Sequence, residues 1–473
     1  MTVKQLAGSF DLNPDALRHY TKLGLVRAHR HGENDYRMYG TAERNRLRFL
    51  FSVLILVSST ATSADSEPNA VLEEDQAIEI AVHANPNLAE MRARYEALSE
   101  VPAQAGSLPD PTLSLNAMNF PTDTFDRSQE PMTQLQFGVS QKFPFPGKLG
   151  LRQEAAEHDA MAAAHSVEEL RLKLIKNVKI KWWETLYLDR ALVTVGNNQT
   201  LLRQFITVAK TKYETGTGLQ QDVLLAQLEL SKLIDQQIQI EAVRRTQAIK
   251  LNILMDRSPA DDVTLPAEVP AVMPDLVNDI ELYRRAENSR PLLGRMETQI
   301  DAARSRLNLA KREYYPDFMV GVTYGDRIGD NPPFMGGTRA DFFSLMLSAN
   351  VPLYANRKQS RAVAQRTSEL QKSQFALQDK KGTVLEAIAS AVTEYGRARE
   401  QFELFRSGII PQARQTVQSM LAGYQVSEVD FLNLVRSQVT LFNYELRYWK
   451  VFVEAKIALA KLAAAVGEES VHE

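Results

Sequence analysis

The segment Gln134-Leu-Gln-Phe-Gly-Val-Ser-Gln-Lys-Phe-Pro-Phe145 sets the architecture of this chain, because Phe343-Ser-Leu-Met-Leu-Ser-Ala-Asn-Val-Pro-Leu353 repeats its pattern. In the first segment apolar residues alternate strictly with polar or small ones, the second segment alternates less cleanly, and a proline follows each run. A period of two predicts a β-strand, and proline at a strand end removes a backbone donor where its loss costs least. The chain is therefore expected to contain the same strand and exit twice.

The duplication extends outward from these two strands. The further matches are Asn85–Leu88 with Arg290–Leu293, Pro109-Asp110 with Pro316-Asp317, and Tyr213–Gln227 with Tyr424–Gln438. Each Pro-Asp pair leads into another alternating run, Thr112–Met118 in the first half and Phe318–Tyr324 in the second. Each half thus reads helix, hairpin, long helix, tight turn, long helix, which is the pattern of an internal repeat.

Long tracts of helical periodicity lie between the hairpins and the turns. From Leu151 to Tyr213 there is no proline and one glycine, Gly196, and apolar residues recur every three or four positions. A helix of this length would run ~95 Å, which predicts a coiled coil or helical tube rather than a compact domain. The other tracts are Val223–Met255, Arg357–Tyr424 with a kink expected at Pro411, and Phe431–Val466.

Two interpretations of the alternating strands are open from the residues alone. Leu135, Phe137 and Val139 share one face, opposite Gln, Ser and Gly. This pattern suits a strand between lipid and a wet channel, and it equally suits a half-buried sheet. Four strands are too few to close a transmembrane barrel, and open edges in lipid would leave backbone groups unpaired. In the membrane interpretation, three copies would pool their strands into a barrel of twelve.

Composition excludes several classes of protein. The formal net charge of −3 gives no bulk attraction to nucleic acid or anionic lipid. The absence of cysteine excludes disulfides, thiolate metal sites and a lipidated N-terminal cysteine. The histidines His83, His158 and His165 are isolated, and no phosphate loop, nucleophile triad or paired-ligand motif occurs. We predict no enzyme activity, no metal site and no cofactor.

The apolar run Phe49–Val57 follows Arg44, Arg46 and Arg48 and precedes small residues that end at Ala64. Nine residues would span ~14 Å as a helix, about half a bilayer core. The order of basic, apolar and small residues indicates a secretory signal peptide, and a buried strand or short helix is the alternative. Because the signal lies so deep in the chain, we expect either a start at Met38 or a reading frame that joins two pieces. No later segment is apolar enough for a transmembrane helix, so a membrane crossing would use strands.

The order of elements over about residues 70–467 resembles the TolC-like outer membrane efflux protein family. The duplicated exit prolines, Pro144 and Pro352, and the duplicated turns carry the resemblance, and Pro109–Leu113 with Phe143–Lys148 is most similar to the heavy-metal branch. The resemblance implies a mainly α fold with a small β part. It implies a homotrimer with a twelve-stranded barrel in the outer membrane and a long helical barrel in the periplasm. It also implies a periplasmic adaptor and an inner-membrane pump as partners of a passive duct.

The same resemblance implies which residues form the periplasmic tip and its gate. The adaptor-contacting tips would be Gly216, Thr217 and Gly218 in the first turn, and Ser427 and Val429 in the second. The gate or pore residues would be Asp222, Glu428, Asp430, Asn433 and Arg436. A ring of carboxylates at a threefold axis would favour cations, although Asn433 and Arg436 stand where the family is often acidic. The alternative is that these residues are solvated helix ends.

Residues 1–50 resemble the winged helix-turn-helix of MerR-type regulators. The motifs are Val3–Ala7, Asn13–Tyr20, Gly24–Arg27 and Tyr36–Tyr39. The resemblance implies DNA contacts by Arg18 and Tyr20 on the second helix and by Arg37 on the wing. The long dimerisation helix of that family is missing, so we expect a truncated fragment. DNA is a partner of the chain only if this fragment is functional.

These observations predict six segments. They are a MerR-like fragment (1–48), a signal-like segment (49–64), a first channel repeat (65–257), a linker (258–275), a second repeat (276–467) and a tail (468–473). The leading hypothesis for function is an efflux duct for metal ions or small toxic compounds. A cytosolic MerR-like regulator with a coiled-coil region and a soluble periplasmic coiled-coil scaffold are the competing hypotheses.

Overall fold

The computed structural model describes residues 29–31, 36–38, 71–331 and 333–471. The chain divides into two compact units, Met1–Val71 and Leu72–Glu473. In the first unit, strands β1 (His29–His31) and β2 (Tyr36–Met38) form an antiparallel hairpin in which Arg37 pairs with Arg30. The predicted DNA contacts of Arg18 and Tyr20 and the predicted signal peptide lie outside the described residues.

The second unit is built mainly from helices, several of them very long. Three short helices, α1 (Glu74–Ala84), α2 (Pro86–Ser99) and α3 (Val101–Gly106), precede the first hairpin, β3 (Thr112–Met118) and β4 (Gln134–Phe143). Then follow α4 (Lys148–Glu214), α5 (Gln220–Leu254), α6 (Asp279–Ser289) and α7 (Pro291–Arg312). The second hairpin, β5 (Phe318–Asp326) and β6 (Phe342–Ala349), leads into α8 (Gln359–Leu404), α9 (Ile410–Gln425) and α10 (Phe431–Val466).

These elements confirm the predicted fold class and the internal duplication. The predicted helix Phe431–Val466 and the predicted strand Thr112–Met118 have the bounds that the structure shows. The kink expected at Pro411 is a π-helical turn at Phe405–Ile409, directly before α9. Among the described residues, no helix combines the length and the apolar character that a bilayer crossing requires.

The long helices pack side by side as a ribbon. Helix α5 packs on α4, α4 packs on α10, and α10 packs on α8 and α9. The centre of the ribbon is an aromatic core in which Trp183 and Phe402 each contact Phe452, with ring centroids 5.7 and 5.5 Å apart. Helices α5 and α9 therefore form the two outer edges of the ribbon near the turns.

The four strands of the second unit form one antiparallel sheet in the order β3-β4-β5-β6. Its register places most of the large apolar side chains on one face, which is exposed: Leu113 is 78% and Leu345 is 71% accessible, whereas Phe342 and Met346 lie on the opposite face. One row of the opposite face reads Ser114, Gly138, Thr323, Ser344 across the four strands. The outer strands β3 and β6 have no partner on their far edges within the described chain.

A buried ion-pair joint connects this sheet to the helices. The fully buried Lys148, at the start of α4, donates from Nζ to Asp317 Oδ1 at 2.8 Å, to the Tyr315 carbonyl at 2.9 Å and to Glu313 at 3.2 Å. The backbone N–H of Phe145 donates to Asp317 Oδ1 at 3.0 Å. The exit of the first hairpin is thus fastened to the entry of the second.

Candidate functional site

The first tip is the turn between α4 and α5. Gly216 has φ of 73°, a left-handed conformation that favours glycine. The N–H groups of Thr217 and Gly218 both donate to the Lys212 carbonyl at 2.9 Å. A Cβ on Gly218 would lie 2.8 Å from the Lys212 Cβ, so the close turn requires glycine there as well.

The second tip, between α9 and α10, has the same geometry built from other residues. Ser427 occupies the left-handed position, with φ of 63°. The N–H groups of Glu428 and Val429 donate to the Gly423 carbonyl at 2.9 and 3.3 Å. Both predicted turns are therefore present, and the second repeats the backbone geometry of the first although Ser427 stands in place of glycine.

Lys212 joins the two tips. Its ammonium group donates to the Tyr424 carbonyl at 2.7 Å and to Ser427 Oγ at 2.9 Å. The ammonium also lies 4.7 Å from the centroid of the Tyr424 ring, within cation–π range. Lys212 could not be selected from the sequence, because a lysine at a helix end is usually a solvated charge, and its partners lie more than two hundred residues away in the chain.

An acidic pair lies beside this contact. Burial raises the pKa of the half-buried Asp222 carboxyl, and the nearby Asp430 carboxylate raises it further. Burial, together with the Asp222 charge, raises the pKa of Tyr424 to about 12. The Tyr424 hydroxyl is buried and faces the Asp222 carboxylate. The two halves of the chain thus contribute one carboxylate each to the same small region.

The other predicted gate residues lie on the outside of the chain. Glu428, Asp430, Asn433 and Arg436 are exposed around the second turn, as are Gly216, Thr217 and Ser427 at the tips. No ion pair involves Glu428, Asp430 or Arg436 in the described part of the chain. The fold therefore brings Asp222 and Asp430 together and leaves Asn433 and Arg436 exposed.

A buried polar layer above the tips was missed by the reasoning from sequence. Gln438 donates from Nε2 to Asn198 Oδ1 at 2.6 Å, joining α10 to α4. The next residue of α4, Gln199, donates to Gln237 Oε1 at 2.7 Å, joining α4 to α5. The repeat of Gln227 and Gln438 was the available signal, but glutamine on a long helix is more often exposed. Such layers fix the register of packed helices at some cost in stability.

The described residues hold no group of three or more His, Asp or Glu side chains arranged to bind a metal ion. The tip region offers two carboxylates, one ammonium group and a buried phenol. These groups can hold helices together and attract or repel ions, but they form no nucleophile or acid–base constellation.

Comparison with known proteins defines the family. The family model described as outer membrane efflux protein matches residues 77–255 and 282–468, most of the chain. The chain belongs to the outer membrane efflux protein family. This is a family of channel proteins rather than enzymes. The two matched segments coincide with the two structural halves that surround the tips.

Solved channel structures share the fold. The outer membrane protein VceC from Vibrio cholerae is 18% identical, with a TM-score of 0.69 over 84% of this chain and 96% of that chain. CusC, described for conformational changes during folding and transmembrane channel formation, is 14% identical, with a TM-score of 0.70 over 85% and 96%. The Campylobacter jejuni outer membrane channel CmeC is 11% identical, with a TM-score of 0.69 over 87% and 92%.

The N-terminal residues match a different family. Residues 1–54 match the model described as MerR HTH family regulatory protein. This match agrees with the resemblance seen in the sequence, and Arg37 lies on the second strand of the described hairpin. No curated protein sequence shows significant similarity to the chain.

Proposed function

We propose that the chain is the protomer of a homotrimeric exit duct, seated in the outer membrane with a long periplasmic part. The observation that carries the proposal is the sheet. Its apolar face is exposed across all four strands, and both of its edges are open. An exposed apolar face suits lipid, and open edges in lipid require strands from other copies. Three copies would supply twelve strands.

The helical ribbon supports the same assembly. Helices α5 and α9 are its outer edges, and α5 exposes apolar side chains such as Leu224, Leu228 and Ile238. Apolar residues on a helix edge indicate packing against another helix. A neighbouring ribbon would cover this edge and close the long helices, ~100 Å in the case of α4, into a tube.

The tips would form the closed end of the duct and its docking surface. In this proposal Asp222, Glu428, Asp430, Asn433 and Arg436 surround the gate, and Gly216, Thr217, Gly218, Ser427 and Val429 contact a periplasmic adaptor. An inner-membrane pump would deliver metal ions or small toxic compounds, and the duct itself would spend no energy. Residues 65–257 and 276–467 would be the two channel repeats, joined by a linker at 258–275.

A pair of neighbouring positions on β6 tests this proposal. Leu345→Arg places a charge on the apolar face, where it would cost about 2–4 kcal/mol at the bilayer centre. Ser344→Arg, the matched control, places the same charge on the polar face of the same strand. We expect Leu345→Arg to be lost from outer-membrane fractions and Ser344→Arg to remain there as a heat-modifiable trimer. Equal recovery of both variants as soluble monomers would contradict the proposal.

A second candidate function applies to the N-terminal unit. The match of residues 1–54 favours a MerR-like DNA-binding fragment, with Arg18, Tyr20 and Arg37 as its DNA contacts. Export would separate this fragment from DNA, so the two functions exclude each other within one mature chain. N-terminal sequencing of the membrane-bound protein distinguishes them: a start near residue 65 assigns the mature chain to the duct alone, whereas retention of residue 1 supports the regulator.

A further inference from the structure

The protomer leaves two unfinished surfaces where the sheet meets the helices. At the exit of the second hairpin, Leu353 is 81% and Tyr354 is 76% accessible. At the entry of the first hairpin, Leu108 is 50% accessible, and the exposed Asp110 has no ion-pair partner in the described chain. Apolar side chains with this exposure require a cover.

The same joint exists in finished form inside the protomer. At the exit of the first hairpin, the Phe145 ring stacks on Tyr315 with centroids 4.6 Å apart and planes 14° apart. Asp317, at the entry of the second hairpin, accepts from the Phe145 N–H and from Lys148. Exit and entry thus fasten together through one apolar contact and one carboxylate.

The internal repeat relates the finished joint to the unfinished surfaces. Pro144 matches Pro352, so Leu353 takes the position of Phe145. The Pro-Asp pair at 316–317 matches the pair at 109–110, so Asp110 takes the position of Asp317 and Leu108 that of Tyr315. The unfinished exit and the unfinished entry are therefore the two halves of one further joint.

We propose that a second copy of this chain completes this joint, with β6 of one protomer paired antiparallel to β3 of the next in the register of the β4–β5 pair. Within the protomer, Val139 is opposite Val322 and Ser140 is opposite Gly321. The repeat converts these pairs into Leu347 opposite Leu115 and Ser348 opposite Ser114. This inference rests on the proposed trimer and specifies its interface.

The faces of the strands agree with this register. Leu347 and Leu115 both belong to the exposed apolar face, and Ser348 and Ser114 both belong to the polar face. A slip of one residue would instead place the apolar Leu347 of β6 opposite the polar Ser114 or Asn116 of β3. The derivation used only the prolines outside the strands, so the agreement of the faces is an independent observation.

Charge complementarity supports the same partner. Arg357 and Lys358 follow the exposed exit and have no ion-pair partner in the described residues. Asp110, at the exposed entry, carries the opposite charge and also has no ion-pair partner there. They stand beside Asn356, which takes the position of Lys148 in the repeat. In the assembled ring this cationic pair would lie beside Asp110 of the neighbouring copy, in place of the Lys148–Asp317 contact.

Engineered disulfides test the register, because the chain contains no cysteine. Ser114→Cys with Ser348→Cys puts directly opposed residues within the Cα separation that a disulfide bridges, about 4.4–6.8 Å. We expect mild oxidation of membranes to convert this variant into covalent trimers that reducing agent releases. Within one protomer the two positions lie on opposite edges of the sheet, three strand spacings or roughly 14 Å apart across the strands and four residues out of register along them, so no link forms within one chain.

Ser114→Cys with Ser344→Cys is the matched control. Its cysteines would be four residues out of register, roughly 13 Å apart, and we expect no covalent trimer. Cross-linking of the control instead of the test pair, or of neither pair in a heat-modifiable trimer, overturns the register and leaves the trimer standing. Monomers that cross-link in neither variant overturn the proposed duct as well.

Discussion

The two halves of this channel protein share one order of elements. In the first half buried contacts hold the strand-to-helix exit and the long helix is continuous, whereas in the second half the exit is exposed and the helix is interrupted. Lys148 is buried in the first half, whereas its counterpart Asn356 is exposed. Helix α4 runs unbroken for 67 residues, whereas its counterpart is split by a π-helical turn into α8 and α9. The two halves thus share the order of their elements but differ in the burial of the strand-to-helix exit and in the continuity of the long helix.

The interruption in the second half has an identifiable cause. Pro411 at the start of α9 lacks the N–H that an unbroken helix would use, and the π-helical turn before it absorbs the mismatch. At the matching position, the first half has Thr200, whose hydroxyl donates to the Gly196 carbonyl at 3.0 Å. We infer that bending of the tips, where it occurs, is concentrated in the second half.

The largest expected effect comes from the buried joint. Lys148→Ala would leave the Asp317 carboxylate buried without its strongest partner, which typically costs about 3–5 kcal/mol. We expect a large loss of folded trimer, measured as the heat-modifiable fraction and its thermal midpoint. Asn356→Ala, the matched change in the second half, should leave both unchanged. A similar loss in the two variants would show that the halves are fastened alike.

Exchanging the helix breaker tests the second difference. Thr200→Pro removes a helix hydrogen bond and introduces a clash in the middle of α4, at a cost of about 3 kcal/mol. Pro411→Thr, its reciprocal, should be neutral or stabilising, because the chain can then continue as an ordinary helix. Thermal dissociation of the purified trimer measures both. If Thr200→Pro were tolerated as well as Pro411→Thr, the contrast between the halves would not lie in backbone continuity.

The tips provide a smaller contrast. Gly216→Ser places a side chain in a left-handed position, which costs about 1–2 kcal/mol. Ser427→Gly relieves the same strain but loses the hydrogen bond from Lys212, so we expect a net change within about 1 kcal/mol. Thermal midpoints of the two variants, compared with that of the unmodified protein, measure these changes in stability. A stabilising Gly216→Ser would refute the assignment of strain at these turns.

The smallest effect should be a dependence of the gate on pH. The raised pKa of Asp222 means that its protonated form favours the packed tip. The stabilisation is fully present below the ordinary carboxyl pKa of about 4 and is lost as pH rises through the raised pKa. Conductance in planar bilayers should therefore fall on acidification. Asp222→Asn should flatten this response and Glu428→Gln, at the exposed turn, should keep it; an unchanged response in Asp222→Asn would remove Asp222 from the gate.

The secondary structure was largely predictable because long periodic tracts leave little choice. The spacing of apolar residues in 431–466 and the alternation in 112–118 each predict one structure, and Pro111 and Pro121 flank the strand. The π-helical turn was not predictable beyond a kink at Pro411, because a proline predicts an interruption of the helix but does not specify the hydrogen-bond pattern of the turn before it. The gate residues that the family resemblance suggested remain predictions, although the structure brings Asp222 and Asp430 together.

The sequence alone determined the duplication, the order of elements and which face of each strand is apolar, since these follow from period and composition. Only the tertiary structure decided which distant residues meet. Lys212 and Tyr424, Asn198 and Gln438, and Lys148 and Asp317 are each brought together by packing of elements far apart in the chain. Their contacts depend on short-range forces between side chains, and local patterns carry no record of which turn of one helix will lie against which turn of another.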